Sequence, residues 1–334
     1  MKAYQIVDKG IDALKQVNVQ PEDLKAGQVR VKMHAASLNY RDIMAVKGDY
    51  GELETPVIPC SDGAGEIVEL GKDVKNWKVG DRVCPIFFQG WTDGALGNAA
   101  AKTALGGHMD GVLREEGVFN ANGVVKIPDY LSYEEAACLP CAALTAWHAL
   151  VVSGGIKSGD KVLMLGSGGV SIFALQIAKM HGCETIITSS DDDKLEKTKK
   201  LGADHVINYK KNPDWDKQVM EITKGKGVDH VIEVGGPHTM PKSVNSVSYG
   251  GHVAVIGLLA GKDSDFNPLS LLYKVVKLQG IYVGSRAMFE DMNTAFTVNE
   301  IRPQIDKVFT FDEAKEALKY QEAGKHFGKV VIKI

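Results

Sequence analysis

Apolar and polar residues alternate with period two along Gln28-Val29-Arg30-Val31-Lys32-Met33-His34-Ala35, the pattern of a strand with one buried face. Gly63 to Gly71 reads as a second strand bounded by glycines, and Lys78-Val79-Gly80-Asp81-Arg82-Val83 as a Gly-Asp turn leading into a third. From Phe87 to Gly111 the periodicity lapses while Gly, Ala, Asn and Asp accumulate, which predicts a long surface excursion with one short helix. Beyond about Leu131, strand patterns alternate with amphipathic ones, which predicts a parallel, doubly wound sheet. Its strands are expected at Lys161 to Leu165, Thr185 to Ser189, His205 to Asn208, His230 to Val234 and His252 to Ile256, with a helix from Asp193 to Leu201 closed by Gly202. A strand at Gln279 to Val283, an amphipathic segment from Met288 to Val298 and a helix from Asp312 to Glu322 follow. Lys329 to Ile334 is a last strand, suited to returning to the first domain.

A chain of 334 residues suits about two domains, each able to bury its own core. Net charge is −3 and no stretch gathers Lys and Arg into a stripe, so nucleic acids and membrane surfaces are not expected partners. The N-terminus lacks an apolar run with a small-residue cleavage site, and no uninterrupted apolar run suggests a bilayer span, so a cytoplasmic protein is expected. Five cysteines, an odd and sparse set, fit reduced, packed thiols better than a disulfide framework.

Chemistry enters at Gly159 to Ser171, which runs from turn to strand to glycines and directly into the helical Ile172 to Met180. At such a junction the backbone approaches a pyrophosphate closely, and free N–H groups and the helix dipole meet its charge. Gly166, Ser167, Gly168, Gly169 and Val170 are the candidate cradle; Ser171 stands where the usual fingerprint has a third glycine. About 20 residues on, NAD enzymes place an Asp or Glu on the ribose hydroxyls. Here that strand ends on Ser189 and Ser190, with Lys194 beyond, groups that suit a 2′-phosphate and favour NADPH; Asp191-Asp192-Asp193 reads as the cap and first turn of the next helix.

With Ala36-Ser37-Leu38-Asn39-Tyr40-Arg41-Asp42, Pro59-Cys60-Ser61-Asp62-Gly63-Ala64-Gly65-Glu66, Val79 to Val83, Leu139 to Trp147 and Leu201 to Tyr209 in view, the chain resembles the medium-chain dehydrogenase/reductase superfamily over nearly its whole length. Within it, the resemblance is to the zinc-independent, quinone oxidoreductase-like branch. This implies an α/β fold in which a Rossmann doubly wound parallel sheet is inserted in a β-rich GroES-like catalytic domain, with the active site in the cleft between them. The divisions expected are 1–125 for the first part of the catalytic domain, 126–266 for the NADP-binding domain, and 267–334 for the end of the Rossmann sheet and the return. The resemblance also implies that Thr145, Tyr209, Gly235, Gly257, Leu258 and Lys329 line the cofactor, and that the protein is a homodimer. The edge strand Gln279 to Val283, with Leu278, Ile281 and Val283, would pair across the twofold axis.

Zinc-dependent relatives hold their catalytic metal through Cys, His and Cys, and motif alignment puts Asn39, Ser61 and Cys141 at those positions, a poor set for zinc; no metal site is expected. Without a Lewis acid, a substrate that spreads the incoming charge itself fits best, namely a quinone or an α,β-unsaturated carbonyl. The resemblance places Asn39 and Tyr40 on the floor of the cleft. Tyr40 has two readings, proton donor or core tyrosine with its hydroxyl tied to backbone, while Asp42 and Asp62 are expected to orient neighbouring groups. Trp91 also has two readings, substrate entrance or a satellite apolar cluster. Two alternatives stand beside the NADPH-dependent reductase: a zinc-dependent alcohol dehydrogenase, and a non-catalytic NADPH-binding sensor or scaffold.

Overall fold

The computed structural model describes every residue except 52, 54, 258 and 260–265. In chain order the strands are β1 (Lys2–Gln5), β2 (Lys15–Asn18), β3 (Gln28–Ser37), β4 (Asp62–Leu70), β5 (Arg82–Pro85), β6 (Glu116–Asn120), β7 (Val124–Lys126), β8 (Lys161–Met164), β9 (Glu184–Ser189), β10 (His205–Asn208), β11 (Val228–Glu233), β12 (Val247–Val255), β13 (Lys277–Gly280), β14 (Ile305–Thr310) and β15 (Lys329–Lys333). The excursion after Phe87 carries a short helix, Asn98–Ala101, as its composition suggests.

The chain divides into two units, one of Met1–Leu144 with Val283–Ile334 and one of Thr145–Tyr282. Divisions were expected at 125/126 and 266/267, with the end of the Rossmann sheet after 266, and two contacts account for where the unit limits fall. The helix Tyr133–Ala136 packs on β3 and β4 and so belongs with the first unit, while β13 is hydrogen-bonded to β12 and so belongs with the second.

The first unit is built on a sheet ordered β14-β15-β3-β4-β5-β7, with β6 also paired to β3, and a separate β1-β2 ribbon. Strand β15 lies antiparallel to β3, Val331 opposite Ser37, so the C-terminal strand returns to this unit. Inward-facing Val29, Val31 and Met33 of β3 join Ile67, Phe119, Val330 and Ile332 in one core, the burial that period-two alternation encodes.

The second unit holds a parallel sheet ordered β10-β9-β8-β11-β12-β13. Counted from β8, this is the 3-2-1-4-5-6 order of a dinucleotide-binding fold, with its switch point between β8 and β11. Leu163, Ile186, Ile207, Val231 and Val253, one from each of five strands, form its core. At the edge, β13 is exposed, but Ile281 and Val283 are only 5% and 4% exposed and are not part of that edge. One helical run among the described residues, Tyr133–Ser153, is long and apolar enough to cross a membrane, which the sequence pattern did not suggest; 72% of the stretch is buried in the fold, as in a core helix.

Candidate active site

Strand order assembles the site of the first unit from four distant segments. Asp62 opens β4 opposite Ser37 of β3, and Lys329 opens β15 on the other side of β3. Where β3 ends, Asn39 is extended (φ −124°, ψ 160°) and starts the helix Tyr40–Lys47, which Gly48 closes in a left-handed conformation. Asp42 caps this helix in reverse, its Oδ2 accepting the Asn39 N–H at 2.7 Å. The Asn39 side-chain oxygen is turned toward the Asp42 N–H of this capping box and is bonded by Lys329, whose Nζ donates to Asn39 Oδ1 and to the Leu38 carbonyl, both at 2.6 Å. Asn39 Nδ2 is buried and makes no hydrogen bond of normal length, although the Asn39 side chain lies beside Asp62 and helps to hold that carboxyl's pKa down.

Asp62 is fully buried and accepts from Ser61 Oγ at 2.7 Å and from the Cys141 N–H at 2.9 Å. Cys141 lies in a π-wound segment, Leu139–Ala143, that includes Pro140, a residue with no N–H for the helical ladder. Burial raises the Asp62 pKa, against the opposing pull of the Lys329 charge. Burial also lifts Asp42 to about 6, with Arg41 pulling the other way. Asp42 thus bonds the Asn39 backbone, and Asp62 bonds the Ser61 hydroxyl and the Cys141 backbone.

Tyr40 is 46% exposed and has no hydrogen-bond partner among the described residues, so it is not the core tyrosine of one reading. Trp91 is buried, edge-on to Phe88, with its indole N–H donated to the Gly94 carbonyl. This is the satellite packing of its second reading.

The residues aligned with zinc ligands do not suit the metal. Ser61 Oγ donates its proton to Asp62, Asn39 Oδ1 is held by an ammonium, and burial with the nearby Asp62 pushes the Cys141 thiol up to about 12. One buried thiol, a hydroxyl that donates to Asp62 and an amide oxygen already held by an ammonium make a poor ligand set for zinc.

In the second unit the glycine junction has the properties a dinucleotide requires. Gly166 sits at φ 75°, open to glycine without strain, and a Cβ added at Gly166 or Gly168 would meet nothing within 4 Å. The helix Gly169–Met180 starts there without a side-chain cap, so its first N–H groups, with Ser167, Gly169 and Val170 alongside, face that space. Ser171, in place of a third glycine, is buried and donates to the Leu165 carbonyl at 2.6 Å, tying helix to strand.

At the end of β9, Ser189 is buried and its Oγ accepts the Asp191 N–H at 3.3 Å, while Ser190 is half-buried. Asp191 caps the helix Asp192–Lys200 by accepting the Lys194 N–H at 3.1 Å. Asp192 is engaged by Asn208 Nδ2 at 2.7 Å and Lys211 Nζ at 2.5 Å, and these bonds lower its pKa. The acidic run is therefore cap and first turn. Tyr209 is 39% exposed beside this strand end, its N–H donated to the Ser189 carbonyl. Thr145 is buried at the start of the unit, and Leu258 lies outside the described residues.

Two features were not legible beforehand. Glu233, at the end of β11, is fully buried; its Oε1 accepts from the N–H groups of Gly235 (2.7 Å) and Gly236 (2.9 Å) and from Thr239 Oγ1 (2.6 Å), and Ser243 Oγ donates to Oε2. It shapes the loop holding Gly235, while Gly257 packs so closely on Val234 that a Cβ would fall 2.3 Å from its carbonyl oxygen. An acid just before a Gly-Gly pair at a strand end is the signal for it. Lys329, expected from the resemblance to line the cofactor, is joined here to Leu38 and Asn39 of its own unit.

The comparisons with known proteins agree with this architecture. Residues 25–129 match the alcohol dehydrogenase GroES-like domain and residues 169–297 the zinc-binding dehydrogenase domain. A zinc-type alcohol dehydrogenase-like protein of Schizosaccharomyces pombe is 45% identical over 97% of this chain and 96% of its own. The chain belongs to the medium-chain dehydrogenase/reductase superfamily. Among other superfamily members, a 2-methylene-furan-3-one reductase of Solanum lycopersicum is 32% identical over 99% of this chain and 79% of its own. A crystal structure of a putative alcohol dehydrogenase from Sinorhizobium meliloti 1021 superposes with a TM-score of 0.93 at 37% identity, covering 100% of this chain and 98% of that one. This medium-chain chain is accordingly an oxidoreductase using a nicotinamide dinucleotide.

Proposed function

We propose that this oxidoreductase reduces a quinone or an α,β-unsaturated carbonyl at the expense of NADPH, with no zinc in the step. The observation that carries this reading is Asn39 Nδ2, a buried donor with no protein acceptor at hydrogen-bond distance, in the residue that precedes the half-exposed Tyr40. An unpaired buried donor costs about 1–3 kcal/mol, a cost relieved when a ligand oxygen accepts from it. The bound dihydronicotinamide supplies a hydride. The chain's own residues then have a limited task, because the substrate delocalises the incoming charge onto its oxygen. Asn39 stabilises that oxygen, Tyr40 delivers the proton an enone needs, and Asp62 and Asp42 keep the surrounding backbone fixed. The name of the tomato relative, an enone reductase, supports the choice of substrate class.

The test is a matched assay of 9,10-phenanthrenequinone and a small enone with NADPH, and of ethanol with NADP⁺, in protein analysed for metal. Turnover of the first two and little of the third is expected. Tyr40→Phe should lower enone turnover ~10- to 1000-fold and quinone turnover less, since hydroquinone oxygens take protons from water. Ethanol oxidation without quinone or enone turnover, or one tightly held zinc per chain, overturns the reading.

We further propose a homodimer through the exposed edge β13, which lies just beyond Leu272, Tyr273 and Val275, 69%, 72% and 70% exposed. Light scattering should give twice the chain mass; a clean monomer refutes it.

A further inference from the structure

We infer that Lys329 is a positioning residue that holds the Asn39 carboxamide with its oxygen bound, so that only the Nδ2 donor is offered to a substrate oxygen. The inference rests on the role proposed above for Asn39. The two ends of a carboxamide are nearly equal in size but opposite in function, so an unrestrained amide presents an acceptor as readily as a donor. An acceptor facing a developing oxyanion repels it. At the start of a helix, asparagine ordinarily turns its oxygen toward the first free N–H groups. Here Asp42 bonds the Asn39 N–H, and the Asn39 oxygen, turned toward the Asp42 N–H as in a capping box, is bonded by Lys329 at 2.6 Å.

An ammonium has donors and no acceptor, so it pairs with the amide oxygen and never with the amide nitrogen. The constraint therefore has one sense. Lys329 is itself restrained: it is 3% exposed, opens β15 and makes a second bond of 2.6 Å to the Leu38 carbonyl, the residue before Asn39. Backbone and side chain of one short segment are thus held by one cation. Nδ2 is buried and lies beside the Asp62 carboxyl without a hydrogen bond of normal length, and it carries two hydrogens, so a donor remains for a ligand. A positive charge on the amide oxygen also polarises the N–H bonds, strengthening them as donors.

The experiment compares Lys329→Met and Lys329→Arg, each alone and combined with Asn39→Ala, in full-length protein. Cofactor affinity is measured by titration, kcat and KM are measured on the quinone and enone, and the Asn39 side-chain amide is followed by NMR after ¹⁵N-asparagine labelling. Lys329→Met should lower kcat about 10- to 100-fold with KM and cofactor affinity little changed, and Lys329→Arg should restore part of it. In the Asn39→Ala background Lys329→Met should cost nothing further. The Asn39 amide signals should shift or broaden in Lys329→Met without any substrate, a readout that survives if neither substrate is turned over. In that case the proposed function fails and the orientation stands. Unchanged amide signals, multiplying losses in the double variant, or weakened cofactor binding with kcat intact would each overturn the inference.

Discussion

In the parallel-sheet unit the cradle is backbone: glycines, open space around Gly168 and uncapped helix N–H groups. In the other unit the candidate site is side chains, with Asn39, Asp42 and Lys329 buried and joined by short hydrogen bonds and Asp62 buried and bonded to Ser61 and Cys141. The first arrangement tolerates many sequences provided nothing fills the space, whereas the second depends on the identity of each residue. Substitutions at the two should therefore separate binding from stability in opposite directions.

The largest effect is expected at Gly168. With no atom within 4 Å of an added Cβ and φ at −80°, Gly168→Val has little to collide with inside the protein, so the melting temperature should move by only a few degrees. The side chain would occupy the pyrophosphate's place, and cofactor affinity should fall by about 100-fold or more, roughly 3 kcal/mol. Gly257→Ala is the contrast: its Cβ would lie 2.3 Å from a carbonyl oxygen, so stability should suffer first. Calorimetric titration and thermal melts on both variants check the pair, and a Gly168→Val protein that binds normally breaks the comparison.

The same contrast explains what could be read in advance. The cradle occupies one continuous stretch, Gly159 to Ser171, in which spacing and chemistry are both visible, and the alternating patterns around it located every strand of its sheet to within a few residues. The start of β12 was the worst, at Val247 instead of His252, because Ser248 to Gly251 carry turn residues inside a strand. In the first unit, Asn39, Asp42 and Asp62 were identifiable because their motifs are local. Lys329 stands 290 residues from Asn39, and only the pairing of β15 with β3 brings them together. Hydrophobic period reports which face of a strand is buried and says nothing about its neighbours. Glu233 was missed for another reason: buried carboxylates are rare, and the partners that satisfy it become visible only once the loop is folded.

The two units should also respond to pH with opposite sign. In the parallel sheet, burial and then the neighbouring His230 and Lys277 lower His252 to about 4 from 6.5, its ring accepting or donating to Ser153 at 3.0 Å. The unfolded chain takes up that proton first, so the contribution of His252 is complete above pH 6.5 and lost as pH falls toward 4, up to ~3 kcal/mol. Asp42 behaves in reverse. Burial raises it from 3.8 to about 6, so its contribution is complete below 3.8 and lost as pH rises through 6. Asp42→Asn should therefore stabilise the first unit by ~1–2 kcal/mol more at pH 8 than at pH 4, and His252→Gln should flatten the acid limb of the second. Hydrogen exchange read at the peptides carrying each residue keeps the units apart. The same pH response in both, or none in either, removes the distinction.

The smallest expected effect falls where the cradle does depend on side chains, at the end of β9. A carboxylate there would repel a 2′-phosphate, but Asp191 is used as a helix cap, and Asp192 is paired with Lys211 and bonded by Asn208. Ser190, half-buried, together with Lys194 and Lys211 is the set we propose to meet the 2′-phosphate. Because Lys211 is 68% exposed and its pairing with Asp192 is at the surface, screening keeps the preference modest. NADPH should bind about tenfold more tightly than NADH, near 1.4 kcal/mol, and Lys194→Ala or Lys211→Ala should each reduce that ratio while leaving NADH affinity within about twofold. Titration of both cofactors into the three proteins, repeated at low and high salt, is the measurement. A ratio of one in the wild type, unmoved by either substitution, would mean that the serines and lysines of this strand end do not read the phosphate, and that the cradle is backbone throughout.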